Sequence, residues 1–179
     1  WRRRMGRRGV AALEQLNREL IQDYWQAEPT EVTLDVDATI LAAEKREAEW
    51  TYQKVKGYQP LLGYVAEVCV HHEFRAGNES PGAGAVQFLQ DCEARLPAGK
   101  KVSVRSDSAW YQAAVMNHCF ARGDRFTITA DQDRAVKAAL GEIPESDWQP
   151  YRTGEGMATD REIAETVHCL NESEQSFRL

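Results

Sequence analysis

No run in this sequence approaches the roughly 18 apolar residues that a membrane-spanning helix needs, and no charged-then-apolar stretch resembles a secretory leader. Cysteine is sparse. Cys69, Cys92, Cys119 and Cys169 are widely separated with no C-x-x-C pair, which argues against a zinc site and predicts free thiols in a cytoplasmic protein. Internal repeats and low-complexity tracts are absent. Gly82 and Gly84 do not make a phosphate loop, because their spacing is wrong and no Lys-Ser/Thr follows. Positive charge is also short: 22 Lys and Arg face 28 Asp and Glu, a net charge of −6. Five of those Arg lie in the first eight residues, where there is no acid, so the rest of the chain carries −11. Such a body does not adhere to nucleic acid by charge alone. It remains compatible with metal-dependent chemistry on nucleic acid, since bound cations offset clustered carboxylates.

The sequence has 179 residues, 42% of them hydrophobic, enough for one domain with a proper core. It begins at Trp1 rather than Met and ends in Ser176-Phe177-Arg178-Leu179, which reads as a strand cut short; a fragment of a longer protein is expected. The terminal Arg2-Arg3-Arg4 and Arg7-Arg8 read either as a solvated end or as a phosphate contact.

Leu13, Leu16, Leu20 and Tyr24, three and four apart, give one apolar stripe on a helix from Val10 to Trp25, which Pro29 ends. Val32 to Thr39 reads as a strand, and Ile40 to Trp50 as a charged, solvated connection. Leu61–Glu67 and Val68–Arg75 form a β hairpin. Ser80-Pro81 reads as N-cap and first residue of a helix reaching about Leu96. Lys101 to Ser108 is a strand, Trp110 to Ala121 a helix, Arg125 to Thr129 a strand, and Gln132 to Leu140 a helix. From Glu145 onward the composition is loop-like, with strand-like alternation over Arg161–Leu170, as in an appended β hairpin.

The strand around Asp35 and Asp37 organises the chemistry. Side chains alternate along a strand, so these two carboxylates share one face while Leu34 and Val36 share the other. A carboxylate pair on an otherwise buried strand needs a cation or donor to offset its desolvation. Lys101–Ser108 supplies a second strand ending in Asp107. Oxygen ligands from two neighbouring strands suit a hard cation such as Mg²⁺, and two such ions can hold the attacking and leaving oxygens of a phosphoryl transfer. The plainer reading, solvated Asp residues at strand ends, stays open for each Asp alone. The order β-β-β-α-β-α-β-α after the leader is that of a ribonuclease H-like α/β fold with a mixed sheet. There the first and fourth strands are neighbours, which brings Asp37 and Asp107 together.

The runs Thr33-Leu34-Asp35-Val36-Asp37-Ala38-Thr39, Gly57-Tyr58-Gln59-Pro60-Leu61, Arg75-Ala76-Gly77-Asn78 and Arg105-Ser106-Asp107-Ser108 resemble, in this order, the D-x-D-x-T, G-Y-x-P-L, R-x-G-N and R-x-D-S motifs of bacterial insertion-sequence DDE transposases. The resemblance extends to the tail run Glu162–His168. It implies strand cleavage at transposon ends and strand transfer into target DNA, with Mg²⁺ or Mn²⁺ as cofactor, DNA as partner and a homo-oligomer assembled on it. It implies catalytic and metal-ligating roles for Asp37 and Asp107, with Asp35 as the fallback ligand. The family's third carboxylate is a Glu on a helix after a β-rich insertion, so it is expected beyond Leu179, and the fragment alone is expected to be inactive. Residues 1–30 are then a basic leader and helix, 31–145 the catalytic core, and 146–179 the start of the insertion. Arg75, Asn78, Lys54 and Lys56 are candidate DNA contacts, each with a plain loop or surface role as the alternative. His71 and His72 point to opposite faces and cannot share a metal site. A ribonuclease H-like nuclease that cleaves without joining, and an inactive DNA- or protein-binding remnant, are the other functional readings.

Overall fold

The computed structural model of the chain describes residues 2–27 and 30–179; the side chains of residues 2–5 and 7, and Pro29, lie outside this description. Four of the five clustered Arg side chains and the helix-ending role of Pro29 therefore fall outside it. The first helix, α1, runs Arg2–Tyr24, with a non-helical backbone at Gly6. Strands β1 (Glu31–Ala38), β2 (Leu41–Ala42), β3 (Glu49–Trp50), β4 (Lys56–Tyr58), β5 (Leu61–Val65) and β6 (Val68–Glu73) precede helix α2 (Ala85–Glu93). Then come β7 (Lys101–Ser106), α3 (Ala113–Arg122), β8 (Arg125–Ile128) and α4 (Arg134–Gly141). The chain closes with β9 (Gln149–Arg152), β10 (Ala158–Ile163), β11 (Val167–His168) and β12 (Phe177–Arg178).

The central sheet has the order β6-β5-β1-β7-β8. β1 pairs antiparallel with β5 and parallel with β7, β5 pairs antiparallel with β6, and β7 runs parallel to β8. This is the ribonuclease H-like arrangement, with β1 and β7 adjacent at the centre. Alternation fixes its faces: Val32, Leu34 and Val36 of β1 and Val102 and Val104 of β7 are buried. They meet Phe88, Leu89 and Cys92 of α2, Val115 and Cys119 of α3, and Ile21 and Trp25 at the end of α1. Each large apolar side chain buried here contributes about 1.5–3 kcal/mol. On the opposite face Thr33, Asp37, Arg105 and Asp107 are exposed. A smaller cluster of Tyr111, Met116 and Val136, with Phe126, Ile128, Phe177 and Leu179 against it, closes the β8 side.

Four sequence expectations need correction. The α1 stripe is not buried: Leu13, Leu16, Leu20 and Tyr24 are 49–68% exposed. The helix packs through a different face, where Ile21 and Trp25 enter the core, Glu14 pairs with Arg95, and Gln22 donates to the Arg95 carbonyl. The Ile40–Trp50 stretch is not merely a connection, because β2 and β3 flank β4 in a three-stranded sheet. Ser80-Pro81 does not start α2; the chain turns through 81–84, and left-handed Gly84 stands at the helix start. The tail keeps the expected hairpin as β11–β12 but adds a second ribbon, β9–β10, where the sequence reads as loop.

Candidate metal centre on the central strands

Asp37 stands near the end of β1, opposite Leu62 of β5, with an exposed side chain whose Oδ1 accepts from Ala38 N at 2.8 Å. The last paired residues of the parallel β1–β7 register are Val36 and Ser106. Asp37 and Asp107, one residue further along each strand, therefore leave the sheet side by side at the carboxyl ends of adjacent parallel strands. Open α/β sheets place their ligand sites at such ends. One position back in the alternation, Asp35 and Arg105 are direct partners on the same face. Arg105 grips Asp35 with two hydrogen bonds, Nε to Oδ1 and Nη2 to Oδ2, the latter at 2.8 Å.

The Asp107 side chain is held in place. In extended conformation it caps the 3₁₀ turn Ser108–Trp110 by accepting from Ala109 N at 3.0 Å. Trp110 anchors that turn in the core at 1% exposure. Gln112 then ties it to the loop before α2, donating from Nε2 to the Gly82 carbonyl at 3.0 Å and to the Ala109 carbonyl at 2.8 Å. Gly82 lies so close that a Cβ there would run into the Ala109 carbonyl oxygen.

The other motifs build scaffold. Gln59 N donates to the Arg75 carbonyl at 3.0 Å, and Tyr58 bridges to Ala76. A Cβ on Gly77 would lie 2.6 Å from the Gly57 carbonyl oxygen, so the two motif glycines mark a close backbone crossing. Arg75, a candidate DNA contact, is 6% exposed. Its Nε and Nη2 donate to Glu73 Oε2, and Nη1 donates to the Ala83 carbonyl at 2.8 Å. Its guanidinium is turned inward, so contact with a DNA backbone is not what Arg75 does in this arrangement. Asn78 is exposed in the turn after β6. Lys54 is exposed at positive φ in the β3–β4 turn, and Lys56 is half-buried on β4 opposite Trp50. His71 stacks on Phe88 with ring centroids 4.8 Å apart, whereas His72 is exposed.

The Arg105–Asp35 pair escaped the sequence reading, although its signal was present. D-x-D and R-x-D on adjacent parallel strands, aligned at their last residues, necessarily set Arg105 beside Asp35. The cluster of His71, Glu73 and Asp91 escaped too, because its third member comes from a helix 18 residues downstream of Glu73. Neither Glu162 nor Glu165 joins the Asp pair. Glu162 stands on β10, Glu165 ion-pairs with Arg178 at 3.2 Å, and among the described residues no group of three ligand-bearing side chains within 4.8 Å of one another includes Asp37 or Asp107.

The topology is that of a ribonuclease H-like fold, with two exposed carboxylates at the ends of its central strands. The family described as Transposase DDE domain group 1 matches residues 1–171, and the chain belongs to that family. It is thus a transposase catalytic domain, of a class of enzymes that act on DNA with divalent metal ions. No curated protein matches the sequence. Among solved structures, the catalytic domain of Mos1 mariner transposase is 12% identical with a TM-score of 0.43, over 76% of this chain and 71% of that one. A Mos1 catalytic domain with Raltegravir and Mn is 11% identical with a TM-score of 0.42, over 72% and 68%. A piggyBac transposase synaptic complex with hairpin DNA is 12% identical with a TM-score of 0.41, over 67% of this chain and 26% of that one. No helix among the described residues is long and apolar enough to cross a membrane.

Proposed function

We propose that Asp37 and Asp107 hold the divalent cation, Mg²⁺ or Mn²⁺, at which this domain cleaves transposon-end DNA and transfers the cut strand to a target. The observation that carries the assignment is the β1–β7 register, which runs Val36 against Ser106 and so sends out two exposed carboxylates from neighbouring parallel strands. The donor set fits such a cation: carboxylate oxygens, solvent-facing, with no histidine or thiol between them. When bound, the cation supplies Lewis-acid polarisation of the phosphoryl group and lowers the pKa of the attacking water or 3′-hydroxyl.

The chain's own residues orient the site. Ala109 N holds Asp107 Oδ1 at 3.0 Å, so this carboxylate is pre-positioned with its other oxygen free of that bond. Arg105 neutralises Asp35, which makes Asp35 the reserve ligand and keeps three adjacent carboxylates from repelling one another. A helix-borne Glu completes the family's ligand set in this reading. Exposed Lys54 and Asn78, with Lys56 beside them on the small sheet, are the DNA contacts it retains. Residues 31–145 form the catalytic unit, flanked by the leader and helix of 1–30 and the ribbons of 146–179. A homo-oligomer on DNA and a cytoplasmic location belong to the same reading.

Thermal unfolding with and without Mn²⁺ tests the assignment. At a hundredfold excess over Kd, binding should stabilise the wild-type chain by about 2.7 kcal/mol. Asp37→Asn or Asp107→Asn should remove most of that gain while leaving the metal-free fold intact, because Asn still caps the turn. Asp35→Asn should remove less. An Mn²⁺ response unchanged in both the Asp37→Asn and Asp107→Asn variants would sink the assignment.

A further inference from the structure

Away from the Asp37–Asp107 pair, edge strand β6 and helix α2 bring together one imidazole and two carboxylates. His71 and Glu73, two residues apart on β6, share a strand face, and Asp91 reaches them from α2. One ligand atom from each lies within 4.8 Å of the others, and His71 Nε2 stands 3.9 Å from Asp91 Oδ2. The His71 Nε2 atom is buried and has no hydrogen-bond partner. Arg75 takes only Oε2 of Glu73, and Gln87 takes only Oδ1 of Asp91, so each carboxylate keeps its other oxygen for a further partner.

We propose that His71, Glu73 and Asp91 form a second cation site that takes a transition-metal dication of the zinc class and clamps the sheet edge to α2. Ligands of a tetrahedral zinc ion, each about 2.0–2.2 Å from it, stand roughly 3.3–3.5 Å apart. Rotation of the partly exposed Glu73 and Asp91 side chains closes the remaining gap, and water completes the coordination. An imidazole nitrogen favours zinc, cobalt or nickel over Mg²⁺, which takes oxygen donors, so the two sites select different ions. Burial, with Arg95 nearby, lowers the His71 pKa below 6.5, so its ring is in the neutral, ligating form at pH 7. Arg95 itself is engaged by Glu14 and by the Asp91 carbonyl, which keeps its guanidinium from filling the site.

The test is calorimetric titration of the metal-free 179-residue chain with Zn²⁺, in excess Mg²⁺, with Co²⁺ absorption as a second readout. One equivalent of Zn²⁺ should bind to the wild type and equally to the Asp37→Asn/Asp107→Asn double variant. Asp91→Asn, a change at a partly exposed side chain, should weaken binding by about tenfold or more. His71→Ala should abolish both the binding and the imidazole-dependent Co²⁺ bands. Circular dichroism verifies that each variant is folded, and Asp91→Asn decides the matter if His71→Ala is not. Zn²⁺ binding that is unchanged in folded Asp91→Asn, or that is lost in the Asp37→Asn/Asp107→Asn variant, overturns the proposal.

Discussion

Single residues set the position of the site more than its composition does. Asp107 owes its orientation to a chain of contacts that ends at Gly82: the Asp caps the 3₁₀ turn, Gln112 binds the turn to the Gly82 carbonyl, and the Gly82 backbone presses on Ala109. A methyl group at Gly82 has no space, and its nearest obstacle is a backbone carbonyl, which cannot swing away as a flexible side chain does. Gly82→Ala should therefore cost about 1–3 kcal/mol of stability, the usual range for overpacking. Urea denaturation measures that loss. The same variant should also weaken Mn²⁺ binding, although Gly82 bears no ligand atom. A Gly82→Ala protein with wild-type stability and wild-type Mn²⁺ affinity would show that the turn is not buttressed from this side.

At the scale of elements, legibility followed periodicity. β1, β5, β6, β7 and β8 were readable because strands of four to eight residues carry enough apolar and β-branched positions to show a pattern. β2 and β3 have only two residues each, too few for any period, and they are defined only by their pairing with the short β4. The Ser80-Pro81 signal was sound local chemistry, but tertiary contacts overrode it: the following turn wedges Gly82 against Ala109 and delays α2 to Ala85. The α1 stripe misled for a related reason. A helical period marks an amphipathic face, yet the core accepts the face bearing Ile21 and Trp25. Of the candidate site, the adjacency of β1 and β7, which sets Asp37 and Asp107 at neighbouring strand ends, was legible from element order, whereas the inward turn of Arg75 was not. Its partners Glu73 and Ala83 meet it only through the loop after β6.

The β6 edge also has a pH signature. His71 has its pKa lowered chiefly by burial, with Arg95 and His72 adding to the effect and Asp91 and Glu73 opposing it. The unfolded chain, at about 6.5, then binds more protons than the folded one as pH drops, so His71 favours folding above that value and its contribution is lost as pH falls through the folded pKa. With metal removed by chelation, Tm should decline as pH is lowered from about 7.5 toward 5, below the usual His value. His71→Gln should make that decline shallower. An equally steep decline in the variant would assign the effect to other groups.

Across the whole molecule, the apolar core and the open face should respond differently to reagents. Cys92 and Cys119 are buried, and burial pushes the Cys119 thiol up to about 12 and the Cys92 thiol higher still. Thiolate is the reactive form, so both should resist a thiol reagent in the native state. Cys169 is exposed and should react at once, with half-buried Cys69 slower. Counting modified thiols by mass spectrometry, before and after denaturant, checks that order. Prompt native labelling of Cys92 would mean that α2 opens from the sheet.

The catalytic question also belongs to the whole chain. Two carboxylates at the ends of β1 and β7 can share one cation, but a two-ion phosphoryl transfer needs further ligands to hold the second ion against the leaving oxygen. Among the described residues no third ligand-bearing side chain closes on the Asp pair. Glu162 stands on the β9–β10 ribbon, and Glu165 is tied to Arg178 in the β11–β12 ribbon. Loss of one ligand of a positioned ion removes much of the electrostatic stabilisation of the transition state, commonly a factor of about 10²–10³ for a single donor. The 179-residue chain should therefore bind Mn²⁺ yet nick supercoiled plasmid or transposon-end DNA no faster than its Asp37→Asn/Asp107→Asn variant. Nicking assays with Mg²⁺ and with Mn²⁺ make the comparison. Metal-dependent nicking that Glu162→Gln or Glu165→Gln abolishes would instead place the third carboxylate in the C-terminal ribbons, which would have to fold over the open face of the sheet to deliver it.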